Sequence, residues 1–291
     1  MNGNLDYQAY QEHAFAVVDA SMMEELPAGL VMETLVPEEL APSSHLMPRL
    51  IDLRRTPHAR AAELFAFLCD ESPAARSLRA VVLIRTSADA SATIRHWNAM
   101  QLARPQSGRR LWLRLHDPRV LHQLLRVLRP AQRKKMFGVA QAFTYWIGGT
   151  WVLATREIPG QTDTRLEGNG VVPQYAGALM WDWDRIERIG MVNRALHGAA
   201  VFTASALDSQ ALLAERLIER AVEHGLVEQA DLVEFATRGL VSHSGFDRHP
   251  DIARAIKPSR NGDSGLSDRF ALVPEHVWAE VRLSTTLQGE M

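Results

Sequence analysis

The sequence predicts an α/β (α+β) N-terminal lobe, with a mixed, partly parallel sheet and flanking helices, followed by a smaller all-α C-terminal lobe. Three observations carry this reading. Two short apolar runs, Ala14–Val18 and Ala80–Ile84, have the length and composition of buried strands. Between and after them lie stretches with apolar residues at helical spacing. From Leu207 onward only the helical period remains. The 291 residues suit one large domain or two lobes.

In chain order, Ala14-Phe15-Ala16-Val17-Val18 ends at Asp19 and reads as a strand. Pro27, Pro37, Pro42 and Pro48 then break the chain into loops and short pieces. Ala61, Leu64, Phe65 and Leu68 form one stripe of a helix from His58 to Cys69. After the Ala80–Ile84 strand, Ser87 or Asp89 offers an N-cap for a helix reaching about Leu102, with Ala90, Ile94 and Trp97 at helical spacing. Pro105 to Gly108 reads as a turn, and Leu111–Leu115 alternates as a half-buried strand does. Strand, helix, strand in that order implies a βαβ crossover, hence parallel pairing.

Asp117-Pro118-Arg119 sits where that strand meets the next helix. Asp117 suits an N-cap and Pro118 a first helical position. Arg119 lies in the first turn, where the helix dipole does not favour a cation. It therefore needs a carboxylate such as Asp117 or Asp19, or a partner. Leu121, Leu124, Leu125 and Leu128 form the apolar stripe until Pro130 stops it. Ala131–Phe137 makes a shorter helix capped by Gly138, and Trp151–Thr155 adds a strand. Residues 156–203 form a connecting segment between lobes 1–155 and 204–291; Gly160, Gly168, Gly170 and Pro173 suggest loops there. In the C-terminal lobe, Asp208 or Ser209 caps a helix ending at Gly225. A second runs from Asp231 to Thr237 and stops near Gly239, and a third covers Pro250–Ile256. Pro258–Asp268 reads as a mobile tail.

Composition bounds the function. The net charge of −2 argues against a protein that coats nucleic acid or an anionic membrane. Charge is unevenly placed, however. Residues 1–50 carry eight acids and one base, Arg49, whereas Arg104–Lys135 carries ten bases and one acid, Asp117. That run is either a solvated helix face or a docking surface for an acidic partner or for the acidic N-terminal part. A lone cysteine, Cys69, fits a reducing compartment and reads as a core thiol. No signal peptide and no membrane span are visible, so a cytoplasmic protein is expected.

Leu113-Arg114-Leu115-His116-Asp117-Pro118-Arg119-Val120-Leu121, followed by Leu124-Leu125, Leu128, Pro130-Ala131-Gln132 and Phe137-Gly138, resembles the signature of the type VI secretion effector adaptors, or effector chaperones. Ala14–Ala20 is similar to that family's opening strand, and Leu46–Leu53 to its proline-containing segment. The strand at Val81 followed by Ser87 and a helix also fits. So do His224-Gly225 and Gly245-Phe246 in a helical C-terminal lobe. Two departures bear on subfamily and partner: Leu115-His116 replaces the aromatics before Asp-Pro-Arg, and Arg76–Arg79 stands where a Trp-Gly is usual. The resemblance implies a non-enzymatic adaptor, without cofactor. It would bind a toxic effector and help load it onto the spike, the valine-glycine repeat protein VgrG. Carried over residue by residue, the motif falls on Asp117, Pro118 and Arg119, with Arg114 beside them, in an architectural or partner-binding role.

Competing constellations are weaker. His116-Asp117 resembles half of a metal site but lacks further ligands in register. A metal-dependent hydrolase could use Asp182 and Asp184, which flank Trp183, on one side of a strand. It could instead use the loop of His243, Asp247 and His249. Otherwise these groups are a packed Trp181–Trp183 pair with wet acids, and a solvated loop.

Overall fold

A computed structural model describes residues 2–3, 5–70, 81–103, 111–156, 181–257 and 265–283. The chain divides into two compact units, Met1–Ile186 and Glu187–Met291. The expected Pro105–Gly108 turn, the loops at Gly160, Gly168, Gly170 and Pro173, residues Arg76–Arg79, and the tail over 258–264 lie outside the described residues.

The first unit opens with β1 (Asn2–Gly3), α1 (Tyr7–Gln11) and β2 (Phe15–Val18). A 3-10 turn at Ala20–Met22, β3 (Met32–Thr34), a longer 3-10 stretch over Glu38–Leu46 and β4 (Arg49–Asp52) follow. Next come α2 (His58–Cys69), β5 (Val81–Arg85) and α3 (Ala90–Gln101), the last capped by Asp89. After β6 (Leu102–Ala103) and β7 (Leu111–Trp112) stand α4 (Pro118–Val127) and α5 (Pro130–Phe137). A hairpin of β8 (Ala142–Ile147) and β9 (Thr150–Thr155) completes the set. The class is α+β.

The main sheet has seven strands in the order β1-β9-β8-β5-β2-β4-β3. Every pair in it is antiparallel, which corrects the expected partly parallel sheet. The crossover argument needed Leu111–Leu115 to return beside β5. Only Leu111–Trp112 is extended, and it pairs with β6 in a separate two-stranded ribbon. The place beside β5 goes to β8, a strand missing from the sequence reading, with Val82 opposite Tyr145 and Ile84 opposite Phe143. Gly148 and Gly149, both at positive φ, form the two-residue turn that folds β9 back on β8.

Alternation along the strands builds two cores. On one face Ala16, Val18, Ile51, Val81 and Leu83 pack with Leu64 and Leu68 of α2 and with Tyr10. On the other, Phe15, Ile84 and Phe143 stand in register across β2, β5 and β8. Phe137 of α5 stacks on Phe143 at 4.4 Å between ring centroids, and Trp97 of α3 meets it edge-on at 6.0 Å. All four β2 residues are fully buried because helices cover both faces.

The second unit is helical. It takes most of α6 (Trp183–Gly198), then α7 (Ala204–Glu223), α8 (Gln229–Val241), α9 (Pro250–Ile256), α10 (Leu266–Ala271) and α11 (Glu275–Leu283). Three expectations are corrected. α7 starts at Ala204, ahead of Asp208 and Ser209. α8 runs through Gly239 because a bare Cα is needed there. A Cβ would lie 2.5 Å from Cδ2 of Leu217 on α7. Asp268, placed in the expected tail, belongs to α10, whose Leu266 and Phe270 are buried. Cys69 is half-buried, with Sγ 3.8 Å from the Leu5 carbonyl.

Candidate functional site: a charged cross-link ahead of helix α4

The turn between β7 and α4 gathers four charged or titratable side chains. Asp117 is the N-cap of α4: its Oδ1 accepts the Arg119 backbone N–H at 3.0 Å, and Pro118 occupies the first helical position. The α4 face built from Leu121, Leu124 and Leu125 is buried against the sheet side of the unit. The Arg119 guanidinium folds back on its own cap. Nε donates to Asp117 Oδ1 at 3.0 Å and Nη2 to Oδ2 at 2.8 Å. Such a two-pronged pair has the geometry of the stronger ionic hydrogen bonds. It resolves the expected misfit of a cation in a first turn: of the two carboxylates considered, Asp117 takes Arg119.

The electrostatics follow. Burial of Asp117 opposes its ionisation, but the hydrogen bonds and charge of Arg119, with help from Arg114, outweigh burial and hold the carboxyl below its ordinary value. Arg119 is held charged in turn by the Asp117 hydrogen bond. The two ends differ in exposure. The Asp117 side chain is 7% exposed, that of Arg119 64%. The pair is thus a buried anchor presenting an accessible cation.

Asp19, just past β2, serves a different pair. Its Oδ2 accepts His116 Nε2 at 2.9 Å and Arg114 Nη2 at 3.3 Å, while Oδ1 accepts Ser21 N at 2.9 Å and Ser21 Oγ at 2.6 Å. The hydrogen bond from His116 is the largest influence; with Ser21 it overcomes partial burial and holds the Asp19 carboxyl far below the usual range. His116 is fully buried, and its Nδ1 has no hydrogen-bond partner among the described residues. The Trp112 ring lies alongside at 5.9 Å between centroids, with the Arg114 guanidinium 5.8 Å from that ring. A carboxylate–imidazole pair can relay a proton only if the second nitrogen reaches a reacting group. Here that nitrogen is sealed inside, so the pair works as a cross-link between the end of β2 and the turn before α4.

Among the described bases of the run, Arg114 and Arg119 are bonded in the cross-link and two more hold the fold. Arg126 donates to Gln123 Oε1 at 2.8 Å, and Arg133 grips the Thr155 carbonyl with Nε and Nη2 at 3.2 and 2.9 Å. Lys134 and Lys135 are exposed on α5, whereas Arg104, Arg109 and Arg110 lie outside the described residues.

The competing groups do not converge. Asp182 accepts the Arg185 backbone N–H at 3.2 Å and Asp184 sits in the first turn of α6, so the two are not on a strand. Trp181 and Trp183 stack at 5.8 Å, and both acids are exposed. In the 243–249 loop each group faces a separate partner. Asp247 takes Arg220 at 3.0 Å and His224 at 2.8 Å. His243 Nδ1 accepts the Gly245 N–H at 3.1 Å, and His249 Nδ1 caps α9 through Asp251 N at 3.3 Å. Among the described residues no group of three or more His, Cys, Asp or Glu is placed to hold a metal ion. Nor is any helix among them long and apolar enough to cross a membrane.

No curated protein and no solved structure matches the chain. Residues 14–135, somewhat under half of the chain and running from β2 to α5 through the whole cross-link, match the model of a family described as a domain of unknown function, DUF4123.

Proposed function

We propose that the protein is a non-enzymatic adaptor that holds another protein. In the finer form the sequence resemblance implies, it binds a type VI secretion effector in the producing cell and helps load it onto the VgrG spike. One observation carries the reading. The stretch that matches the family model contains the tie between β2 and α4, and the polar groups of that tie are spent on one another: Asp19 on His116, Arg114 and Ser21, and Asp117 on Arg119. What the tie itself offers outward is the guanidinium of Arg119 and, less fully, that of Arg114, 46% exposed. Fixed cations on a rigid support suit recognition of a partner, where preorganised side chains lower the ordering cost of binding. Catalysis would need an accessible acid, base or nucleophile in the same place.

The test is coexpression with each protein encoded beside this chain's own gene, a toxin being the expected partner, followed by affinity capture. Retention of the toxin, with the spike protein joining it, is the expected result. Capture of neither would remove the reading.

A further inference from the structure

The helical unit carries an exposed apolar crest for which the fold has no use. The α10–α11 connection is Leu272-Val273-Pro274, and Leu272 is 84% exposed, a high value for a large aliphatic side chain. Grooves lie on both sides of the crest and share Val273: one of about 180 Å³ toward Val241, itself 49% exposed, and one of about 590 Å³ toward α9. The larger groove is walled by bases, namely Arg254, Lys257, Arg269 and His276. Its lining acid, Asp251, is already bonded to Arg254. Arg269 is built into the wall, donating to the Ile256 and Lys257 carbonyls at 3.1 and 2.8 Å and paired with Asp231 at 3.5 Å, which leaves Lys257 and Arg254 as the outward charges. Lys257 and His276 are exposed, and their side chains make no hydrogen bond or ion pair among the described residues.

We infer that this groove is a docking site for a short acidic segment of a partner protein, with an apolar side chain seated against Leu272 and Val273 and carboxylates meeting Lys257 and His276. Charge complementarity selects the occupant. A patch with an apolar centre and a rim whose charges sum to positive, Arg254, Lys257 and Arg269 against Asp251, fits a segment of the opposite sign. A single projecting side chain, Leu272, favours a peptide over a lipid surface, which would need several apolar side chains projecting together. The inference rests on the adaptor reading for its biological sense, but not for its test.

Binding is measured by fluorescence anisotropy on the full chain. The probe is a short fluorescein-labelled peptide of Asp and Glu with one central Leu; a Lys-for-acid version is the control. The acidic peptide should bind saturably and the basic one should not, with affinity falling as salt rises. Leu272→Asp and the pair Lys257→Glu/His276→Glu should each weaken binding by about tenfold or more. These positions are exposed, so an unchanged melting temperature is the check on folding. Equal binding by parent and variants, or equal binding of the basic peptide, would overturn the site. So would attachment to phosphatidylserine vesicles that the acidic peptide fails to displace. Toxin capture separates this from the adaptor reading. Capture undiminished in the groove variants, with no peptide binding, sinks the groove alone. Peptide binding without any toxin capture sinks the adaptor alone.

Discussion

Replacing Asp117 by alanine should lower the stability of the first unit by about 1.5 kcal/mol, most of it from the lost cap. The cap hydrogen bond to Arg119 N contributes about 1 kcal/mol, the usual cost of exchanging an N-cap Asp for Ala. The pair with the Arg119 side chain has good geometry, but at 64% exposure the guanidinium is screened, so about 0.5 kcal/mol is a fair share. No large penalty is added, because the abandoned guanidinium turns to water rather than remaining buried. For a unit of this size the change amounts to a fall of roughly 3–6 °C in Tm. Asp117→Asn separates the terms. Asparagine caps as well as aspartate, so that variant should lose only the ionic share, about 0.5 kcal/mol. Urea and thermal unfolding, followed by far-UV circular dichroism, measure all three proteins. If asparagine proves as damaging as alanine, the cap is not the main contribution. If Arg119→Ala costs more than Asp117→Ala, Arg119 is not the solvent-facing end of the pair. If Tm is unchanged while partner capture is lost, the motif is a contact surface and not a support.

Asp19→Ala should cost more than Asp117→Ala, about 2–3 kcal/mol, because His116 stays buried with its Nε2–H unanswered. Since the Asp19 carboxyl is depressed in the folded protein, its contribution is whole above about pH 4 and drains away as pH falls below that; Asp19→Asn should flatten this part of the Tm-versus-pH curve. His13 gives the same sign at milder pH, through burial of a base. It is buried, its Nδ1–H meets the Tyr10 carbonyl and its Nε2 accepts the Thr144 hydroxyl, and burial lowers its pKa. The unfolded chain therefore binds the extra proton first, stability should decline as pH drops below about 6.5, and His13→Gln should remove that slope. Gly138→Ala should cost about 3 kcal/mol. Its Cβ would sit 2.1 Å from Cε1 of His96, and φ is +52°, so His96→Ala in the same chain should relieve the clash and leave the backbone strain. Gly239→Ala sets helix propensity against packing. Alanine is the better helix former by about 1 kcal/mol, yet the Leu217 contact should make the variant less stable; on a Leu217→Ala background the same change should become stabilising.

Those two glycines mark where the amino-acid sequence is a good guide and where it is not. Gly138 after Ala131–Phe137 is legible as a helix end, since a left-handed φ at that point is a local need. Gly239 has the same local look, but its role is to let α8 approach α7, and no property of the neighbouring residues reveals that. The sheet divides in the same way. β2, β5 and α2 were legible because each is a run of apolar residues with one period. The pairing direction was not. It turned on Ala142–Ile147, whose composition of Phe, Thr, Tyr, Trp and Ile is that of a strand and whose Gly148-Gly149 exit is that of a hairpin turn. Reading that hairpin would have supplied a neighbour for β5 and removed the reason for a parallel crossover.

At the cross-link, the local half was legible and the distant half was not. Asp117, Pro118 and Arg119 interact within three residues, so capping rules reach them. Asp19 and His116 are separated by 97 positions and meet only because the fold brings the turn before α4 against the end of β2. The charge pattern held a partial clue. An arginine in a first turn demands a carboxylate, and Asp19 was a rational candidate, but Asp117 is closer along the chain and loses less entropy in closing. With Arg119 satisfied locally, Asp19 holds a buried imidazole, which has no other acceptor for its Nε2–H among the described residues. The two pairs are thus separate: a variant that freed Arg119 from Asp117 would turn its 64%-exposed guanidinium to water and leave Asp19 with His116, Arg114 and Ser21.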